Sequence, residues 1–257
     1  MSVRKRFERE RAQAIADTAD FQSSEVFTEA DIERLPEPVQ QYFRVCGYLG
    51  QPKMFNADVI WKESYIKLSP EKEWTPLETS QFNAVKTPVR IAHMKALKLP
   101  LQVRDLYRDG EGHMYGKLFN LIPVVNANGP EISQSSLITL FTEILLIPSY
   151  SLQSYITWDP VDAYTAKARF RHKQIDVSGT FHFDDTGKFR RFETHDRYYS
   201  ETKGLFVKKK FSALVDDFQA KDGVQIPRKV RIIWHLDDGE YEYFKGEISE
   251  MVYNVRA

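Results

Sequence analysis

The sequence has almost no cysteine. Cys46 is alone among 257 residues, which excludes a disulfide within the chain and any metal site built from several thiolates. The chain also lacks an excess of either charge, because 36 lysines and arginines balance 36 aspartates and glutamates. A nucleic-acid-binding surface requires a basic surplus, so the composition argues against that kind of partner.

Long hydrophobic runs are absent as well. No stretch is apolar for long enough to span a bilayer, and no apolar signal-peptide core follows the basic first residues. We therefore expect a cytoplasmic protein. A weak membrane-surface anchor at the basic start is the alternative. Glu8 and Glu10 dilute the charge there, which favours a solvated helix.

Familiar catalytic and cofactor motifs are missing. The chain has no G-x-S-x-G, P-loop or G-x-G-x-x-G sequence, and no two of its six histidines have metal-binding spacing. We predict no metal, no cofactor and no catalytic residue. A hydrolase that uses Glu131 or Glu143 with His195 is the enzymatic alternative, although no triad or metal signature supports it.

What the chain does have is alternation of apolar and polar residues with period two over most of its length. Residues 164–171 and 175–183 show the pattern clearly, and Asp109-Gly110 and Asp237-Asp238-Gly239 provide turns between such segments. This pattern is typical of antiparallel strands with one covered face. We count about eleven strands, which is too many for a flat sheet.

One stretch in the middle changes period. Gly129 and Pro130 stop the preceding strand, and Pro148 ends the stretch. Between them, helical spacing puts six apolar residues on one broad face: Leu137, Ile138, Leu140, Phe141, Ile144 and Leu145. The spacing predicts a helix over residues 131–147 that is buried against the sheet.

The predicted fold is therefore mainly β, with some α: a strongly curved antiparallel sheet or unclosed barrel packed on a central helix. Residues 1–27 are predicted to form a charged helix and a loop, and residues 28–257 a single domain. Short helices follow near Thr28 and Pro36. We expect the N-terminal helices to lie on the concave side of the sheet, together with helix 131–147.

Two short motifs carry a family resemblance. Residues 35–44 read L-P-E-P-V-Q-Q-Y-F-R, and residues 129–134 read G-P-E-I-S-Q. The chain resembles an uncharacterised bacterial family, a domain of unknown function, over most of residues 28–253. That family has no established activity, so the resemblance implies no catalytic residue. By analogy of architecture alone, a helix-filled unclosed barrel is similar to the bacterial lipoprotein carriers, and such an analogy does not fix function.

The candidate binding residues surround the start of the central helix. Glu131 and Gln134 are polar groups where the helix enters the interior, and Arg104 and Arg197 are possible partners for Glu131. They are interpreted either as polar anchors at the mouth of an apolar cavity or as a buried network that fixes the helix to the sheet. Trp158 is a further candidate contact at the rim.

These observations favour a non-catalytic binding module for a lipid-like or other hydrophobic small molecule. The first alternative is a scaffold with a filled core and no ligand, and the second is the hydrolase. The sequence leaves the oligomeric state open.

Overall fold

The computed structural model describes residues 1–18, 24–202 and 204–256, and it is dominated by antiparallel strands. Four α-helices are described: α1 Val3–Asp17, α2 Glu29–Ile32, α3 Glu37–Val45 and α4 Pro130–Phe141, and a 3₁₀ helix follows at Pro148–Leu152. The strands are β1 Asn56–Ile66, β2 Thr75–Ala84, β3 Val89–Ala96, β4 Leu101–Arg108, β5 Glu111–Leu118, β6 Ile122–Ala127, β7 Ile156–Asp162, β8 Thr165–His172, β9 Ile175–Phe183, β10 Phe189–Thr194, β11 Tyr198–Thr202, β12 Leu205–Lys208, β13 Lys210–Lys221, β14 Val224–Leu236 and β15 Gly239–Tyr253.

Thirteen of these strands form one sheet in the order β6-β5-β4-β3-β2-β1-β15-β14-β13-β10-β9-β8-β7. Two meanders are joined where β1 pairs with β15, and β11 and β12 form a separate hairpin. The two edges, β6 and β7, do not pair with each other. This arrangement confirms the predicted class, a large unclosed antiparallel sheet.

The number of strands is larger than the predicted eleven. One reason is that a tight turn at Phe119 and Asn120 divides residues 111–127 into two strands, β5 and β6. Both turn residues have positive φ, 50° and 57°. A two-residue turn in which both residues have positive φ is usually marked in a sequence by Asn-Gly or Asp-Gly. Phe-Asn gives no such signal.

The sheet curls around α4. The helix contacts β4 and β5 on one side and β9 on the other. Across the same interior, the Tyr107 hydroxyl on β4 lies 2.7 Å from Nδ1 of His172 on β8. Phe141 is fully buried, and three aromatic rings surround it edge-on, those of Phe170, Phe181 and Phe192. The wide apolar face predicted for the helix is therefore covered by the concave face of the sheet.

The helix ends earlier than predicted, at Phe141 instead of residue 147. After Phe141 the backbone tightens into turns with hydrogen bonds to the third preceding residue, such as Glu143 N to Leu140 O at 3.0 Å. Tyrosine hydroxyls then satisfy carbonyls of the segment: Tyr42 donates to Leu145 O at 2.7 Å and Tyr253 donates to Leu146 O at 3.0 Å. With these partners, residues 142–147 are buried without forming an α-helix.

The expected position of the N-terminal helices is wrong for α1. This helix packs on the outer face of the sheet, where its Phe7 and Ile15 join Phe82 and Ile91 in a second, smaller core. Of the described N-terminal helices, α2 and α3 contribute side chains to the core around α4. The predicted division into residues 1–27 and 28–257 remains a prediction, and residues 19–23 of that loop lie outside the described residues.

Truncation of the central aromatic residue tests this core. We expect Phe141→Ala to lower the free energy of unfolding by about 3–5 kcal/mol, because it leaves a cavity among three rings. Denaturant unfolding measures the change. Val161→Ala is the control, because Val161 is 50% exposed and the loss should stay below about 0.5 kcal/mol. A similarly small loss for Phe141→Ala would contradict the architecture.

The lone cysteine gives a second test. Cys46 is fully buried, and this burial raises the pKa of its thiol to about 12. Because the thiolate is the reactive form, the folded protein should react with a disulfide reagent at about pH 8 only as fast as it opens. The same reagent should react at once after unfolding in guanidinium chloride. Rapid labelling of the folded protein would show that the α3 region is not packed as described.

Candidate ligand-binding cavity

A cavity of about 180 Å³ lies between α4 and the concave face of the sheet. Its walls come from β1–β5 on one side and from β10 and β13–β15 on the other, with α4 and the turns after it between them. The apolar part of the lining includes Trp61, Met94, Met114, Phe211, Ala213 and Phe244. The sheet and helix interior is therefore not completely filled.

A buried polar network forms one wall of the cavity. Glu143 accepts hydrogen bonds from Arg90 Nε at 2.8 Å, from Gln81 Nε2 at 3.0 Å and from Asn83 Nδ2 at 2.9 Å. Arg90 also donates to Asp105 at 2.9 Å. Burial lowers the pKa of Arg90, but the two carboxylates outweigh that effect and leave this pKa raised. Both carboxylate oxygens of Glu143 are thus occupied by donors from the sheet.

Arg197 also lines the cavity and has a different environment. Its Nη1 donates to Ser135 O at 3.0 Å and to Thr139 Oγ1 at 2.6 Å, which ties it to α4. The guanidinium carbon lies 4.3 Å from the centre of the Phe211 ring and 5.5 Å from that of Trp234. An aromatic face attracts a cation in this way.

The charge of Arg197 is only partly compensated. No carboxylate among the described residues lies within ion-pair distance of it, and its Nε is buried without a hydrogen-bond partner there. Burial lowers the pKa of Arg197 most, and the positive charge of Arg90 lowers it further. Tyr243 and the carboxylates of Asp105 and Glu143 act in the opposite direction but leave this pKa lowered. A buried N–H without a partner is costly, so an acceptor that reached Nε of Arg197 would be stabilised there.

The other predicted residues at the helix start do not line the cavity. Gln134 Nε2 donates to Asp196 O at 2.5 Å, which fixes α4 to the segment that carries Arg197. Glu131 is half-buried, and its carboxylate makes no hydrogen bond or ion pair within the described part of the chain. The suggested pairing of Glu131 with Arg104 or Arg197 is therefore not found.

Arg104 and Trp158 lie elsewhere. Arg104 is fully buried on the outer face of the sheet under α1, where its Nε lies 3.1 Å from Glu10 and its Nη1 donates to His113 O at 2.9 Å. Trp158 lies on β7 at a separate open cleft, and its Nε1 donates to Ser151 O at 3.1 Å. Of the five sequence-predicted residues, only Arg197 lines the cavity.

The groups considered for hydrolysis do not converge. Glu143 belongs to the polar network, His195 is exposed, and no hydrogen bond or ion pair among the described residues joins His195 to Glu131 or Glu143. In residues 1–18, 24–202 and 204–256, no group of three or more His, Cys, Asp or Glu side chains is placed to hold a metal ion. No helix in these ranges is both long and apolar enough to cross a membrane.

Comparison with known proteins assigns the family. Residues 25–246 match the Family of unknown function (DUF6544), and the chain belongs to that family. This confirms the resemblance to an uncharacterised family that the sequence motifs suggested. A comparison with curated proteins gave no match.

Three solved structures are similar to this fold at low sequence identity. A LolA superfamily protein from Nitrosomonas europaea is 8% identical, with a TM-score of 0.46 over 86% of this chain and 93% of the other. A DUF1329 family protein from Desulfovibrio piger is 11% identical, with a TM-score of 0.45 over 85% and 94%. An outer membrane lipoprotein-sorting protein domain from Vibrio parahaemolyticus is 8% identical, with a TM-score of 0.44 over 78% and 86%.

Glu143→Gln tests whether the polar network holds the interior together. The new amide NH2 would face the donor groups of Gln81, Asn83 and Arg90, and the positive charge of Arg90 would lose one of its two carboxylate partners. We therefore expect the free energy of unfolding to fall by about 3 kcal/mol. Glu8→Gln, in the exposed pair with Arg4, is the control and should cost less than about 1 kcal/mol. Equal effects in denaturant unfolding would show that the network contributes little.

Proposed function

We propose that this protein binds a small hydrophobic molecule in the cavity between α4 and the sheet, with an acceptor group of the ligand at Arg197. The unpartnered, buried Nε of Arg197 within an apolar lining is the observation that carries the proposal. Pockets of this composition, mostly apolar with a few polar groups, are typical of small-molecule sites. The aromatic rings of Phe211 and Trp234 hold the guanidinium in place before a ligand arrives.

The size of the cavity limits which ligands can fit. A dry cavity of roughly 150 Å³ binds benzene, whereas drug-sized ligands occupy roughly 300–1,000 Å³. At about 180 Å³, this cavity fits a small ring compound or part of a single acyl chain. It is too small for the hydrocarbon of a two-chain lipid.

The cytoplasmic location remains a prediction from the sequence.

The charge of Arg197 favours a carboxylate over a neutral group. A hydrogen bond to a charged partner contributes about 1.5–3 kcal/mol, which corresponds to roughly ten- to a hundredfold in affinity. Octanoate should therefore bind more tightly than octanol by about that factor. The hydrolase alternative gains no support from this site, because the acid in its wall, Glu143, is held by three donors.

A cavity-filling variant tests the proposal. Ala213 lines the cavity, so Ala213→Leu should abolish the rise in melting temperature that octanoate gives the wild-type protein. The matched control is Ala220→Leu, the same change at an exposed position of the same strand. Calorimetry gives the dissociation constants. If octanoate binds both variants equally, or binds none of the proteins including the wild type, the scaffold with no ligand becomes the better description.

The role of Arg197 has its own test. In Arg197→Gln the affinity for octanoate should fall at least about tenfold, while the affinity for octanol changes little. The ratio between the two ligands is the measured quantity, because it cancels any general loosening from the lost bonds to Ser135 and Thr139. An unchanged ratio would remove Arg197 from the binding site.

A further inference from the structure

Exposed apolar side chains are concentrated at one corner of the sheet. Six large apolar residues there have exposed fractions between 43% and 76%: Leu97, Leu99, Phe119, Leu121, Ile122 and Val124. These residues, here named the apolar tip, occupy the β3–β4 turn, the β5–β6 turn and the start of β6. Single exposed apolar residues are ordinary, but a contiguous group marks a surface that contacts something else.

The two turns of the apolar tip are fixed side by side. Alternate turns of an antiparallel meander lie at the same end of the sheet, and Leu101 of β4 pairs with Leu118 of β5 directly below them. Phe119 N donates to Pro100 O at 2.7 Å, which joins one turn to the other. The tip is therefore a protruding ridge held by the sheet.

The backbone of Phe119 is unfavourable for its side chain. Both central residues of the β5–β6 turn, Phe119 and Asn120, have positive φ, and Leu121 N closes the turn on Leu118 O at 2.9 Å. A large aromatic residue has a steric cost in this region that Gly or Asn largely avoids. Phe119 is 67% exposed, so little burial within the chain offsets this cost. Strain of this kind points to a role for the side chain outside the fold.

Lysines accompany the apolar tip. Lys98 lies between Leu97 and Leu99 and is exposed, and Lys117 and Lys95 lie at the bases of the two turns. Only Lys95 has an acidic partner in a described ion pair, Glu78 at 3.1 Å. The tip therefore combines protruding apolar groups with a local positive charge, although the whole chain has no net charge.

The turns at the opposite end of the sheet lack this combination. At the opposite end of the sheet, residues 109–110, 184–187 and 222–223 are polar and rich in aspartate and glycine. The acidic turn at 237–238 lies at the same end as the tip, but β2 and β1 separate its β14–β15 hairpin from β3. Three strand spacings amount to roughly 15 Å. The acidic turn is thus separated from the apolar tip by the β1–β2 turn, residues 67–74, which carries both lysine and glutamate.

We propose that the apolar tip inserts into the surface of an anionic lipid bilayer. Apolar side chains at a protruding turn can enter the boundary between headgroups and acyl chains, while the neighbouring lysines meet the anionic headgroups. A second copy of the chain pairing along the free edge of β6 is less favoured. Pro123 has no N–H to donate there, and Leu97 and Leu99 lie on a turn away from that edge.

Vesicle co-sedimentation tests the proposal. The wild-type protein should bind vesicles of phosphatidylcholine with phosphatidylglycerol at least tenfold more tightly than vesicles of phosphatidylcholine alone, and added salt should weaken the binding. Phe119→Asn should reduce binding at least tenfold while raising the melting temperature, because Asn tolerates the left-handed backbone. A loss of binding in a more stable protein is not a folding defect.

Matched variants complete the experiment. Val161→Ser removes an exposed apolar side chain outside the tip and should bind as the wild type does. Lys98→Glu should lose the preference for anionic vesicles. Ala213→Leu, which fills the cavity, should bind vesicles as the wild type does. The membrane proposal and the ligand-binding proposal are therefore tested independently of each other.

Three results would overturn the membrane proposal. The first is that the wild-type protein does not bind anionic vesicles at low salt. The second is equal binding by the wild-type protein and Phe119→Asn, or an equal loss in Val161→Ser. The third is a wild-type dimer, seen by light scattering, that Phe119→Asn converts to a monomer without any vesicle binding, which would make the tip a self-association surface.

Discussion

The interior of this protein depends on one buried carboxylate, that of Glu143. It lies just after α4, and donors from β2 and β3 surround it: Gln81, Asn83 and Arg90. An ion pair taken out of water stabilises a fold only when further hydrogen bonds complete it, and removal of one partner leaves an uncompensated charge. The network therefore specifies where the end of α4 lies on the sheet more than it adds net stability, and one wall of the cavity follows from that position.

The parts of the fold that followed from sequence are those with a regular pattern. Alternation with period two predicted the antiparallel sheet, and the change of period near Pro130 predicted the buried helix, because both patterns reflect which side chains must leave water. The residues at which the helix and the strands end were predicted less well. The C-terminal end of α4 depends on Tyr42 and Tyr253, which are distant in sequence and supply the hydrogen bonds that make further helix unnecessary.

The polar residues of the site were mostly missed. Gln81, Asn83 and Arg90 occupy inward positions of β2 and β3 where alternation calls for apolar residues, and that mismatch was the only available signal. Arg104 and Arg197 look alike in sequence, yet one faces α1 outside the sheet and the other lines the cavity. Arg104 lies on β4 and Arg197 in the connection between β10 and β11, and packing between distant segments decides what each of them contacts. Local sequence therefore cannot distinguish the two arginines.

Two arginines that line the same cavity have different electrostatic roles. Arg90 is compensated by Glu143 and Asp105, so a ligand would have to break strong bonds to reach it. Arg197 is held by neutral oxygens and aromatic faces, which orient a guanidinium without cancelling its charge. Asp105 and Glu143 also line the cavity, so an anionic group that enters it would be attracted to Arg197 and repelled by these two carboxylates. That asymmetry would orient an amphipathic ligand even in a cavity with few polar atoms.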